Sequence, residues 1–238
     1  MLDSLRGKVY TCSVSCTGGM YLKKIVLFDL DGTTLDTLED LRSAVNAALL
    51  ACGYPERSSA EMLGFVGRGV RAMLEDAMPP YAKDADIARG FEVFTDEYEK
   101  NMDVRTRAYP GVCRLVDRLH EAGIRSCVIS NKYDSAVRRL VEKHLPQMDG
   151  CIGTFEDMPK KPAPDTALRL LKELGFARED GIYVGDSYVD IQTAGNLDMP
   201  FIGVSWGFST REQLLKAGAQ AIAADTDELY GLLLPYFR

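Results

Sequence analysis

The chain has 238 residues, of which 46% are hydrophobic and 26% charged, as in a globular protein with one core and an inserted or appended subdomain. Its 35 acidic and 28 basic side chains give a net charge of -7, which argues against a nucleic-acid partner held by phosphate contacts. No apolar run approaches the roughly 20 residues that a membrane-spanning helix requires, so we expect no membrane partner.

The first segment in chain order, residues 1–19, is small and polar, and Met20 begins a more usual opening, MYLKKIVLFDLDG. We expect residues 1–19 to be a disordered leader. The six cysteines are scattered, and most stand where an apolar residue would fit a helix or strand pattern. This usage favours reduced thiols in a cytoplasmic protein.

A buried strand is predicted at residues 25–28, where four apolar residues precede Asp29 and Asp31. Burying an ionised carboxylate without a partner costs several kcal/mol at least, roughly, so two carboxylates at the end of this strand need compensation. A hard divalent cation would supply it, and an oxygen-only site with one or two carboxylates suits Mg²⁺. Taken alone, the two aspartates could equally form a turn with solvated carboxylates, so the choice between the two depends on the other motifs.

From residue 38 the apolar residues follow a helical period instead. One helix face carries Leu38, Leu41, Val45, Ala48 and Cys52. Helical patterns continue through SSAEMLGFVGRGVRAMLEDAM, where Ser58 and Glu61 have the spacing of a capping box, and through IARGFEVFTDEYEKNM. We therefore predict that residues 38–105 form a small all-helical domain.

From Pro110 onwards amphipathic helices alternate with short β-branched runs, which is typical of a parallel sheet covered on both faces. The predicted strands have the sequences RSCVISN, CIGTF, GIYVGD and PFIGVSW. The fold class is therefore α/β, a doubly wound parallel sheet. Its core comprises residues 20–37 and 106–238, and the helical segment 38–105 interrupts its first crossover.

Polar residues follow several of these strands and should meet at one edge of the sheet, since ligands bind at the carboxyl ends of parallel strands. They are Asp29 and Asp31, Ser130 and Asn131, Lys160 and Lys161, and Asp186 and Asp190. A phosphate dianion would be repelled by these carboxylates unless a cation and a lysine neutralised them.

The segments DLDGTTLDT, ISN, KKPAPD and GDSYVD resemble, in order, the four motifs of the haloacid-dehalogenase superfamily of phosphotransferases. The resemblance extends over nearly the whole chain after Met20. It implies a Rossmann-like core with residues 38–105 as a small helical cap.

The resemblance also implies a role for each motif residue. Asp29 would attack phosphorus to form an aspartyl-phosphate, and Asp31 would protonate the leaving oxygen and later deprotonate water. Lys161, which the family pattern selects over Lys160 because it directly precedes Pro162, would neutralise Asp29 and phosphate together. Phosphate would be bound by Gly32, Ser130, Asn131 and Lys161, and Mg²⁺ by Asp29, the backbone carbonyl of Asp31, Asp186 and, as support, Asp190.

The helical segment resembles the cap entry and cap loop of phosphoglycolate phosphatases, and its FVGRGV stretch holds Arg68 between two glycines. A small phosphorylated hydroxy acid would need a cation for its carboxylate, and Arg68 is the candidate. A solvated arginine at a helix break is the alternative reading. The substrate is thus expected to be a small phosphorylated metabolite. We expect the chain to be a monomer or a homodimer.

Three other functions remain open. Related proteins accept pyrophosphate, nucleotides or sugar phosphates. A phosphosugar mutase similar to β-phosphoglucomutase would carry a histidine and basic residues after the first motif, whereas LEDLRSAVN offers acids and only Arg42. A non-catalytic binding protein would be expected to lack one of the motif aspartates or Lys161, and all of them are present.

Overall fold

The structure is a computed structural model that describes residues 24–237. The predicted leader at residues 1–19 lies outside the described residues. Within residues 24–237, no helix combines the length and the apolar character needed to cross a membrane. The cytoplasmic location stays a prediction.

The described residues form a sheet of six strands in the order β5-β4-β1-β6-β7-β8, and all neighbours in it are parallel. The strands are β1 (Ile25–Phe28), β4 (Arg125–Tyr133), β5 (Gly150–Thr154), β6 (Gly181–Gly185), β7 (Phe201–Val204) and β8 (Ile222–Ala223). The first strand, β1, lies inside the sheet. Strands β4 and β5 extend the sheet on one side of β1, and β6, β7 and β8 extend it on the other. This order confirms the predicted doubly wound sheet and puts its switch point beside β1.

Helices cover both faces of this sheet. They are α5 (Val112–Glu121), α6 (Asp134–His144), α7 (Asp165–Leu174), α8 (Tyr188–Asn196), α9 (Arg211–Lys216) and α10 (Thr226–Leu233). In β1 every side chain is buried. Val26 and Phe28 pack with apolar residues of α5 and α10, whereas Ile25 and Leu27 pack with those of α7 and α8. A strand with two buried faces has no reason to alternate polar and apolar residues, which explains the run IVLF.

The segment 38–105 contains four helices, α1 (Leu38–Ala51), α2 (Ser59–Met62), α3 (Val70–Ala77) and α4 (Asp84–Asn101). We call this segment the helical insertion. Helices α1 and α4 pack along each other, and the predicted capping box forms at the start of α2, where Glu61 accepts from the Ser58 amide at 2.9 Å. The continuous helical pattern expected after Ser58 is broken, because Gly67 and Gly69 both adopt positive φ before α3 begins.

Two short chain segments close the base of the helical insertion. Strands β2 (Leu35–Asp36) and β3 (Arg107–Ala108) form an antiparallel pair. Beside them the buried carboxylate of Asp40 accepts hydrogen bonds from the amides of Arg105 and Thr106 and from the Thr106 hydroxyl, at 2.8 to 3.0 Å. These contacts tie the two crossings between core and insertion together.

Candidate active site

Asp29 lies at the carboxyl end of β1, at the switch point of the sheet. Its amide still donates to the Val184 carbonyl of β6, at 2.9 Å, so the backbone stays fixed up to this residue. Its buried carboxylate accepts from the Lys161 ammonium at 2.6 Å. Burial and the negative charge of Asp190 nevertheless raise the pKa of Asp29 well above its ordinary value.

The turn after Asp29 depends on a glycine. Gly32 has φ +85, and a Cβ at this position would collide with the carboxylate of Asp186. Its amide donates to the Leu35 carbonyl at 2.9 Å, which closes the turn. An L side chain is disfavoured at Gly32 both by its backbone conformation and by the lack of space.

Asp186 follows β6 and is almost completely buried. It accepts from the Thr33 hydroxyl at 3.0 Å and from the Phe208 amide at 2.6 Å. Burial and the charge of Asp190 raise the pKa of Asp186 to about 7. The hydrogen bonds oppose this rise but do not cancel it, so the ionised carboxylate lacks a full counter-charge.

Lys161 lies between two of the motif carboxylates. Its ammonium group donates to Asp29 at 2.6 Å and to Asp190 at 2.8 Å, and it lies 3.2 Å from the Tyr183 hydroxyl. Burial opposes its charge, but Asp190 and Asp29 raise the pKa of Lys161 well above its ordinary value. Lys160, the alternative in the sequence, is exposed.

Asp190 uses both of its oxygens within the protein. One accepts from Lys161, and the other accepts from the hydroxyl of Ser187 at 2.6 Å and from its amide at 3.1 Å, in the capping box of α8. The residue therefore holds the lysine and the start of α8 in place. This arrangement suits a carboxylate that supports a metal site better than one that binds the ion directly.

The buried acids form a cluster that could hold a metal ion. Carboxylate oxygens of Asp29, Asp186 and Asp190 lie within 4.8 Å of one another. Lys161 is the ammonium group that contacts two of these three carboxylates, so the cluster retains an excess of negative charge if all are ionised. Oxygen ligands, burial and uncompensated charge together fit a hard divalent cation.

Asp31 lies beside this cluster, and its carboxylate belongs to a second set of contacts. It accepts from the Thr37 hydroxyl at 2.6 Å and from the Lys132 ammonium at 3.1 Å. The Ser130 hydroxyl lies 3.5 Å away. Asp29 and Asp31 therefore have different cationic partners although they are two positions apart in the chain.

The Asn131 side chain is engaged with backbone groups. It donates to the carbonyls of Gly67 and Lys161 at 3.0 Å, and its oxygen accepts from the Lys161 amide at 2.7 Å. These contacts hold the Lys161 loop and reach the helical insertion. The predicted binding of phosphate by Asn131 and Ser130 stays a prediction.

A cavity of about 840 Å³ opens between the strand ends and the helical insertion. Its polar end includes Asp29, Asp31, Lys161 and Asp186. Its opposite wall is largely apolar and includes Leu41, Val66, Val70, Met73, Phe91, Phe94 and Met102. A small polar group held at the strand ends would thus be covered by the insertion.

Arg68 is not brought to this cavity. Its guanidinium pairs with Asp76 and its side chain is 47% exposed. In the described part of the chain, the residues lining the cavity include the neighbouring Gly67 and Gly69 but not Arg68. This arrangement does not support contact between Arg68 and a substrate, and such a role stays a prediction.

Several groups at the site were missed by reasoning from the sequence. The Phe208 amide on Asp186 leaves no signal in a sequence, because any residue but proline supplies an amide. Thr33 lies within the first motif and Tyr183 within a predicted strand, and neither position indicates a contact to Asp186 or Lys161. Lys132 was missed because it directly follows the predicted strand RSCVISN, whereas in the structure it is a buried residue of β4.

Comparisons with known proteins identify the family of this chain. A family model of haloacid dehalogenase-like hydrolases matches residues 26–204. A phosphoglycolate phosphatase of Mesorhizobium japonicum is 32% identical over 79% of this chain and 86% of its own length, and one of Agrobacterium fabrum is 33% identical over 79% and 83%.

Solved structures give the same result for the fold. The crystal structure of a candidate phosphoglycolate phosphatase from Lactobacillus delbrueckii subsp. bulgaricus has a TM-score of 0.83 and 32% identity, covering 90% of this chain and 99% of that one. The sequence relatives and the solved structure therefore indicate the same family over most of the chain. The protein belongs to the haloacid dehalogenase-like hydrolases and is a phosphoric monoester hydrolase of the kind represented by phosphoglycolate phosphatases.

Proposed function

We propose that this enzyme hydrolyses a small phosphate monoester, phosphoglycolate or a close analogue, through an aspartyl-phosphate formed on Asp29, with Mg²⁺ as cofactor. The observation that carries the proposal is the position of Asp29, a buried carboxylate held at a sheet edge by Lys161 at 2.6 Å and facing a cavity. No base adjacent to a serine or cysteine is needed, because a carboxylate is itself the nucleophile.

Asp29, Asp186 and the backbone carbonyl of Asp31 would hold the ion, with Asp190 in support. The buried cluster of three carboxylates favours this choice. Bound Mg²⁺ would supply positive charge for the phosphoryl oxygens and for the carboxylates that they approach.

In the first step a carboxylate oxygen of Asp29 forms a bond to phosphorus while the bond to the ester oxygen breaks. Asp31 gives its proton to the departing oxygen, and the alcohol leaves. In the second step water attacks phosphorus, Asp31 takes a proton from it, and the bond between phosphorus and Asp29 breaks. Phosphate is released, and both aspartates return to their starting states.

Lys161 would stabilise the charge that moves between Asp29 and the phosphoryl group. Its link to Asp190 and Tyr183 keeps the ammonium in place before substrate arrives, so little reorganisation accompanies the reaction. Ser130 would add a hydrogen bond to a phosphoryl oxygen, and Asn131 would add another by exchanging one of its contacts to the carbonyls of Gly67 and Lys161. Gly32 lets the Asp186 carboxylate pack against the turn that follows Asp29.

The helical insertion would act as the cap that covers the substrate. Phosphoglycolate is supported as the substrate by the names of the relatives in Mesorhizobium and Agrobacterium. The cavity's apolar wall would exclude water from the phosphoryl group once the insertion is seated.

A substrate panel with the purified chain tests the proposal. Phosphoglycolate should be hydrolysed with Mg²⁺ and not with EDTA, and faster than pyrophosphate, a nucleoside monophosphate or glucose 1-phosphate. Product analysis with glucose 1-phosphate distinguishes hydrolysis from mutase activity, since a mutase returns glucose 6-phosphate. Lack of turnover on every ester with Mg²⁺ present would refute the proposal.

A further inference from the structure

Lys132 is a buried cation to which the steps above give no role. It lies in β4 directly after Ser130 and Asn131, and it is only 8% exposed. Its ammonium group contacts the Asp31 carboxylate at 3.1 Å and the Tyr98 hydroxyl at 2.8 Å. A buried ammonium is retained only where its partners are well placed, so these two contacts determine its position.

Tyr98 belongs to α4 of the helical insertion, whereas Lys132 and Asp31 belong to the core. The Tyr98 ring stacks on Phe94, with ring centroids 5.3 Å apart. The Lys132 nitrogen lies 4.6 Å from the centre of the Tyr98 ring, close enough for a cation–π contact. Lys132 thus joins the insertion to the carboxylate that would serve as acid and base.

Lys132, Tyr98 and Asp31 all line the cavity. Asp31 has two fixed contacts on the same oxygen, from Thr37 and from Lys132. Its other oxygen faces Ser130 at 3.5 Å, a long contact. Pinning one oxygen of a carboxyl group sets the direction in which the other can exchange a proton.

We propose that Lys132 is a positioning residue that orients Asp31 for proton transfer to the leaving oxygen, and that Tyr98 holds Lys132 for this purpose only when α4 is seated on the core. Departure of the leaving group is thereby coupled to the position of the helical insertion. This inference rests on the proposed function, in which Asp31 is the general acid.

The leaving group provides the test. An aryl phosphate such as p-nitrophenyl phosphate has a good leaving group and needs little proton transfer, whereas glycerol 3-phosphate and phosphoglycolate release poor leaving groups. For all three, kcat/KM reports the steps up to departure of the alcohol or phenol. When the general acid is no longer positioned, kcat/KM should therefore fall more for the esters with poor leaving groups than for the aryl ester.

The variant K132M keeps the unbranched shape and removes the charge. We expect its kcat/KM to fall roughly 100-fold on both alkyl esters and less than about 5-fold on the aryl ester. Y98F keeps the stack on Phe94 and removes the hydroxyl, and should show the same dependence with a smaller loss. In the double variant, kcat/KM should fall by a smaller factor than the product of the two single factors, because both residues act through Asp31.

Y54F is the matched control. Tyr54 donates to Asp86 at 2.9 Å within the insertion, and among the described residues it is not part of the cavity lining. Its kcat/KM should stay within about 2-fold of the wild type on every ester. Lys132→Arg, which restores the charge, should recover part of the alkyl-ester rate.

Two results would overturn the inference while leaving the proposed function intact. An equal loss on all three esters in both K132M and Y98F would mean a purely structural role. A loss in K132M confined to phosphoglycolate would mean that Lys132 binds the substrate's carboxylate instead. If the wild type hydrolyses none of the esters with Mg²⁺, the proposed function fails, and the inference fails with it.

Discussion

At the scale of single residues, the placement of each acid determines what it can do. Asp29 and Asp31 are separated by one leucine, yet Lys161 contacts the first and Lys132 the second. The chain leaves the strand after Asp29, so the two side chains do not share one face as they would in a regular strand. A nucleophile and an acid–base group need this separation, because they act on opposite sides of the phosphorus atom.

The motif aspartates could be predicted from the sequence because they follow the ends of β1 and β6, where parallel sheets collect their polar groups. Lys161 lies in the loop between β5 and α7, and it was selected by its resemblance to the family motif. Lys132 could not be assigned in this way. The predicted strand ends at Asn131, one residue before Lys132, and the partner Tyr98 is 34 positions away in another part of the chain. Only the packing of α4 on the core brings them together.

Asp29→Asn should abolish turnover without unfolding the chain. The amide keeps the shape of the side chain but cannot attack phosphorus, so kcat should fall by roughly 10³-fold or more. Thermal unfolding of the metal-free protein should be unchanged or shifted upward, because one crowded buried charge is removed. Near-native turnover by this variant would disprove the nucleophilic role.

Gly207→Ala should destabilise the protein and displace Asp186, which is proposed to bind the metal ion. A Cβ at this position would collide with the Gly32 carbonyl and with the Asp186 carboxylate, so we expect a loss of about 1–3 kcal/mol in the free energy of unfolding. Chemical denaturation measures it.

Gly231→Ala in α10 is the control, since a Cβ there meets nothing within 4 Å. That change should stabilise the protein by about 0.5–1 kcal/mol. Equal effects of the two alanines would show that the crowding at Gly207 is unimportant.

At the scale of secondary structure, length decided what the sequence could reveal. Strands β1, β4, β6 and β7 have four or more residues each, and their apolar runs predicted them. Strands β2, β3 and β8 have two residues each, too few for any periodicity, and they were not predicted. The break between α2 and α3 was missed because apolar residues continue through it while two glycines change the backbone direction.

The Asp40 contacts at the base of the helical insertion give a prediction at this scale. Asp40→Ala would leave the amides of Arg105 and Thr106 and the Thr106 hydroxyl without their shared acceptor. We expect a loss of about 1–3 kcal/mol in the free energy of unfolding, measured by denaturant titration.

Asp40→Asn keeps one acceptor oxygen and should lose less. If alanine and asparagine had the same small effect, Asp40 would not be what ties the two crossings together.

At the scale of the whole molecule, the free energy of unfolding depends on pH through the charges of the acidic cluster. Asp186 has an ordinary pKa of 3.8 and a folded pKa of about 7, and the pKa of Asp29 is raised as well, first by burial. For a raised pKa the contributed stability is full below about pH 4 and is lost as the pH rises through about 7. These raised pKa values should therefore lower the free energy of unfolding of the metal-free protein at alkaline pH compared with acidic pH.

Mg²⁺ should raise the melting temperature more at about pH 8 than at about pH 5, because the ion binds carboxylates and competes with protons for them. Thermal unfolding at the two pH values, with Mg²⁺ and with EDTA, measures the difference. Asp186→Asn should diminish the effect of Mg²⁺ at both. An equal shift at the two pH values in the wild type would contradict the assignment of the cluster as the metal site.

The central claim is that a carboxylate oxygen of Asp29 forms a covalent bond to phosphorus beside a bound cation. A crystal soaked with MgCl₂ and beryllium fluoride tests it directly, since beryllium trifluoride mimics a phosphoryl group on a carboxylate. The account predicts the adduct on Asp29 and an ion contacting Asp29 and Asp186. Fluoride density elsewhere in the cavity, with Asp29 unmodified and no ion beside it, would contradict the account.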